Sequence, residues 1–135
     1  LTKVLEEKKP ETVGEVVEIL KEIPEYKEAS LKKTGPTIAV GEEKNRCGKV
    51  APLEITGGTE GAKKIYSYLA QAGIGTIISM HQSEEHHQEA KKYHLNIIIA
   101  GHIASDSLGM NLFLDKLNEK GIKTIPCSGL IRVEH

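Results

Sequence analysis

Two short runs that are almost wholly apolar, Thr76-Ile77-Ile78-Ser79-Met80 and Asn96-Ile97-Ile98-Ile99-Ala100, stand on either side of one strongly polar stretch, Ser83 to Tyr93. A strand wetted on one face alternates apolar with polar residues, whereas a run that is apolar at successive positions needs cover on both faces. The polar stretch is long enough for a crossover helix, and Ser83 is the residue type whose hydroxyl caps a helix start. Buried strand, helix, buried strand specifies a parallel pair, because parallel neighbours require such a crossover.

The same alternation extends in both directions. Val50 to Ile55 reads as a preceding strand, with Pro52 marking an edge or a bulge. Ala62 to Ala72 reads as a helix with Ile65, Tyr68, Leu69 and Ala72 on one face, stopped by Gly73 and Gly75. Ser105 to Lys120 is a further helix, stopped by Gly121, and Ile122 to Pro126 is a following strand. Leu130 to Val133 adds a short strand at the end. Upstream, residues 10–23 form a helix with a stripe of Val13, Val16, Val17, Leu20 and Ile23, closed by Pro24. Glu25 to Leu31 adds a short helical turn, and Thr37 to Val40 is a strand after the Gly35-Pro36 break. The pattern predicts an α/β fold in three layers, with a mostly parallel mixed sheet flanked by helices.

Composition bounds the function. At 135 residues the chain can bury one real core, and with no Trp and one Phe that core must be mostly Ile, Leu, Val and Ala. A net charge of −1 argues against a non-specific binder of nucleic acid or anionic membrane. No apolar run approaches the roughly 20 residues of a membrane helix, and the start has no signal-peptide hydrophobic region. Cys47 and Cys127 read as reduced thiols of a cytoplasmic protein, and no CxxC pattern offers a thiolate zinc site. The chain starts at Leu1, in what reads as the middle of a helix. The expectation is therefore a helical segment, residues 1–34, continuing from a missing upstream domain, followed by an α/β metal-binding domain over 35–135.

In open α/β sheets ligands bind beyond the carboxyl ends of the strands. Three unusual sequences occupy those ends: Gly57-Gly58-Thr59 after the Val50 strand, His81 after Met80, and Gly101-His102-Ile103-Ala104-Ser105-Asp106 after Ala100. His102 offers an imidazole nitrogen and Asp106 a carboxylate four residues on, a donor pair that suits zinc, manganese or iron. Ser105 can orient a ligand from behind. The structural alternative is that Asp106 or Ser105 caps a helix and His102 is a hydrogen-bonded loop residue. His81 is a third ligand, a proton-transfer group or a polar strand end. Glu84, Glu85, His86 and His87 read as a solvated first turn of helix. The glycine loop matches neither the P-loop nor the dinucleotide fingerprint, so it lines the cleft as a turn, with phosphate contact the lesser reading.

At Ile55-Thr56-Gly57-Gly58, Ser79-Met80-His81 and above all Asn96 to Asp106, the sequence resembles the GTP cyclohydrolase I type 2 homologue family, also called the NGG-one-interacting factor three-like family. The resemblance spans roughly residues 36–133. It implies a two-domain α/β protein with two divalent metal ions in the cleft between its halves, assembled as a homo-oligomer. His102 and Asp106 are then the ligands from the later half, and an adjacent histidine pair and an aspartate come from an earlier half that this sequence lacks. Asp106 stands where many members carry Glu, and His81 stands at a commonly acidic position. The functional expectation is half of a two-metal, hydrolase-like site, inactive alone. Its substrate is unsettled: a nucleotide or other phosphorylated compound, with the family name pointing to hydrolytic ring opening. The alternatives are a non-enzymatic metal-dependent scaffold or metallochaperone, and a nucleotide-binding regulatory module using Gly57 to Gly61.

Overall fold

The computed structural model describes residues 1–55 and 61–135. Helices α1 (Thr2–Lys8), α2 (Val13–Lys21) and α3 (Pro24–Leu31) precede strands β1 (Thr37–Val40) and β2 (Lys49–Pro52). Then follow α4 (Ile65–Gln71), β3 (Ile74–Ser79), α5 (Glu84–Lys92), β4 (Asn96–Ile99) and α6 (His102–Glu119). The sheet order is β1-β4-β3-β2, with β2, β3 and β4 parallel and β1 antiparallel to β4. This is the mixed, mostly parallel sheet that the apolar runs specify.

The central strands β3 and β4 are covered on both faces, and their side chains divide by parity. Ile78 and Ile98 face one cluster with Val16 and Leu20 of α2, Tyr26 of α3 and Ala104 of α6. Ile77 and Ile97 face the other, with Tyr66 of α4, Ala90 of α5 and Leu95. Helix α2 starts where the sequence signals it. Thr12 Oγ1 accepts from Glu15 N–H at 3.2 Å, and Glu15 Oε2 accepts from Glu11 N–H at 2.8 Å, so two donors at the helix start are satisfied together.

Three expected boundaries move. Gly75 lies inside β3 instead of ending a helix, because a Cβ there would sit 2.5 Å from the Cys47 carbonyl oxygen. The strand after Gly121 does not form: Ile122 and Ile125 are exposed, and the chain from residue 122 to 127 is irregular. The Leu130–Val133 strand is also absent. Side chains of α6 hold that segment instead, since Ile131 N–H donates to Ser107 Oγ at 3.0 Å and Asn111 Nδ2 donates to the Ile131 carbonyl at 2.8 Å. With its backbone groups engaged by a helix, the segment has no need of a strand partner.

Arg132 Nη2 pairs with Asp115 Oδ1 at 2.5 Å, and His135 N–H donates to Asp115 Oδ2 at 3.0 Å. The His135 N–H and then the Arg132 guanidinium hold the Asp115 carboxyl below its ordinary range. A carboxyl lowered on folding stabilises the fold above its unfolded value and loses that contribution as pH falls through the folded value. Protection of the amides of residues 130–135, taken relative to their intrinsic exchange rates, is therefore expected to fall below about pH 4, and Asp115→Asn to show the reduced protection already at neutral pH.

Asn96, at the start of β4, ties the sheet to the loop before β2. Its Nδ2 donates to the Gly75 carbonyl at 3.0 Å and the Arg46 carbonyl at 3.3 Å, while Oδ1 accepts from Asn45 Nδ2 at 3.0 Å. Truncation strands buried acceptors, so Asn96→Ala should cost about 2 kcal/mol in urea unfolding.

Candidate metal centre

The β4–α6 junction sets the position of His102. Gly101 adopts φ 94°, and a Cβ there would approach the Thr34 carbonyl oxygen to 3.0 Å. The turn this permits is tight enough that α6 begins at His102, three residues before the expected start at Ser105. His102 and Asp106 are therefore both helical, four residues apart on one face. Their Nε2 and Oδ2 atoms lie 3.6 Å apart, with side chains 52% and 60% exposed. A tetrahedral ion bound at ordinary zinc distances separates two ligand atoms by about 3.4 Å, so the pair fits two positions of one divalent ion.

His81, beyond the end of β3, meets the same residue. Its ring lies 5.2 Å from that of His102, centroid to centroid, with 27° between the planes. This is a stacked arrangement of the two rings. The three predicted residues His81, His102 and Asp106 are thus neighbours at the carboxyl edge of the parallel strands. Among the described residues, no group of three His, Cys, Asp or Glu side chains is placed to hold a metal ion.

Ser105 turns away from this pair. Its hydroxyl donates to the Gly101 carbonyl at 2.7 Å and lies 3.1 Å from Tyr26 Oη, so Tyr26 is the donor in the second contact. Burial pushes the Tyr26 phenol up, and the hydrogen bond to Ser105 partly offsets it. Gly57, Gly58 and Thr59 lie outside the described residues. Glu84 and Glu85 are exposed at the start of α5, in a solvated first turn, with carboxyls held down by Gln88 and Lys63 respectively. His86 is buried against Tyr66.

Glu54 was missed by sequence reasoning. Its Oε2 accepts from Met80 N–H at 2.8 Å and from the Ser79 hydroxyl at 3.1 Å. Reading the Val50 strand through to Ile55 hid it, because β2 ends at Pro52 and leaves Glu54 at the carboxyl edge. The available signal was Pro52 itself, which removes a ladder donor. Glu54 also lines an apolar cavity of about 320 Å³ with Leu53, Met80, Leu108 and Leu112.

No family model matches the sequence, and no curated protein matches it. Solved structures do. A NIF3 superfamily protein from Sphaerobacter thermophilus matches over 96% of this chain, at a TM-score of 0.75 and 27% identity. A Bacillus cereus protein related to NIF3 matches over 90%, at a TM-score of 0.54 and 21% identity. The chain spans 46% of the first and 32% of the second, less than half of either. No helix of the described residues is long and apolar enough to cross a membrane. The structural neighbours of this three-layer α/β chain are NIF3 superfamily proteins.

Proposed function

We propose that His102 and Asp106 are two ligands of a divalent metal ion in a two-metal, hydrolase-like site, completed by residues beyond those described. The observation that carries this reading is the 3.6 Å separation of Nε2 and Oδ2 at the carboxyl edge of the parallel strands. Zinc, manganese or iron suits the donor set. When bound, two such ions supply an activated water and stabilise the charge that develops on the attacked group. The chain's own contribution is to present both ligands from one rigid helix turn, fixed by Gly101. The substrate is a nucleotide or other phosphorylated compound whose ring or ester is opened by water. The remaining ligands come from a second half of the protein, and homo-oligomerisation buries further surface around the site.

Two ligands make a weak site, since a catalytic zinc generally has about three protein ligands. The chain by itself is expected to bind Zn²⁺ weakly and to leave GTP unchanged. Metal titration and a GTP turnover assay check this, and robust turnover by the chain alone overturns the shared-site reading. A second reading is a metal-dependent scaffold without chemistry, using the same pair. The two part on whether the complete protein turns over a phosphorylated substrate.

A further inference from the structure

The turn that carries His81 is fixed at three successive residues. Met80 N–H donates to Glu54 Oε2 at 2.8 Å. The Ser79 hydroxyl lies 3.1 Å from both the His81 carbonyl and Glu54 Oε2, which share its one proton. Gln82 turns inward, and its Nε2 donates to Tyr66 Oη at 2.9 Å. Tyr66 Oη in turn lies 2.9 Å from His86 Nδ1. Gln82 is thus joined through the phenol oxygen to the His86 ring.

Tyr66 and His86 are 0% and 1% exposed, in a layer that is otherwise mostly aliphatic. Burying a phenol and an imidazole is costly unless both are hydrogen-bonded, and the Gln82, Tyr66 and His86 contacts meet that need while leaving Gln82 Oε1 buried without a partner among the described residues. Joining β3 to α5 does not itself require such a network. What the turn presents is one exposed imidazole, stacked on His102. We propose that Gln82, Tyr66 and His86 are positioning residues for His81: they hold the turn so that its ring stacks on His102 and fixes the direction of the His102 ring. The consequence for metal affinity rests on the ligand reading above; the stacking does not.

The test uses the intact, metal-free protein and the ring-proton resonances of His81 and His102, which stacked imidazoles shift in one another. Tyr66→Phe keeps the ring and removes only the hydroxyl. Gln82→Ala, at a half-buried position, cuts the same chain from its other end and serves where the first variant fails to fold. In the folded variant, the His102 resonances should move to the values seen in His81→Ala, and the double variant should match His81→Ala alone. A merely structural role lowers the melting temperature and leaves these resonances in place. The proposal is overturned if they stay at wild-type values, or if the hydroxyl's removal shifts them equally with and without His81. In a parallel Zn²⁺ titration, Tyr66→Phe should weaken binding about tenfold, the lower end for outer partners of a metal ligand, and add nothing to His81→Ala. If His102→Ala leaves Zn²⁺ affinity unchanged, the ligand reading fails, and the ring resonances still decide the positioning role.

Discussion

Ile98→Ala is expected to cost the fold about 3 kcal/mol and about 10 °C of melting temperature. Ile98 is 0% exposed and sits in β4, an interior strand of the sheet. It lies opposite Ile38 of β1 and Ile78 of β3, so three β-branched side chains form one row across the sheet. Above that row pack Leu20 of α2, Tyr26 of α3 and Ala104 of α6. The alanine variant removes three carbons from a site bounded by strands on two sides and helices above, where collapse is limited, so a cavity cost adds to the transfer cost. Urea unfolding should show a lower midpoint with an unchanged slope. Leu31→Ala, at a position 74% exposed, should be within about 0.5 kcal/mol of the parent. If Ile98→Ala proves equally mild, the joint packing of α2, α3 and α6 on this face is wrong.

That packing explains which parts of the fold could be read from residues alone. Apolar runs such as Ile97-Ile98-Ile99 announce burial on both faces, and their spacing with polar helices fixes a parallel arrangement. Ile122 to Pro126 has a similar local look but no partner: the sheet's edges are β1 and β2, and the segment leaves α6 exposed. Strand formation depends on that distant partner, which periodicity over five residues does not encode. The start of α6 was misplaced because Ser105 resembles a cap, whereas its hydroxyl serves the Gly101 carbonyl from inside the helix. The actual signal was Gly101, whose positive φ allows strand and helix to join with no intervening loop. His81, His102 and Asp106 were legible because strand ends are where such folds place ligands. Their stacking was not legible, since ring orientation depends on Glu54, Gln82 and Tyr66, residues from separate elements. His86 looked like part of a solvated helix turn, and only the position of α4 shows it to be buried.

Asp106 offers the sharpest test of the candidate metal pair. In the intact protein, Asp106→Ala is expected to weaken divalent-metal binding by at least about a hundredfold, or roughly 2.7 kcal/mol, because loss of a direct ligand should exceed the 10–100-fold cost typical of an outer partner. His102→Ala should do the same. Fold stability should hardly change in the metal-free state, because both side chains are more than half exposed and an exposed pair on one helix face contributes at most a few tenths of a kcal/mol. Asp106→Glu discriminates further. It keeps the carboxylate and lengthens the arm by one methylene, and the flexible longer side chain on the same face can still reach an ion held by His102. Affinity should therefore stay within about tenfold of the parent, while Asp106→Asn, which keeps the size and loses the charge, should fall toward the alanine variant. Metal content after dialysis and a competition titration with a chelator of known affinity measure all four. If the alanine variants retain full metal stoichiometry, His102 and Asp106 are no more than an exposed helix pair, and the ion, if one binds, is held elsewhere.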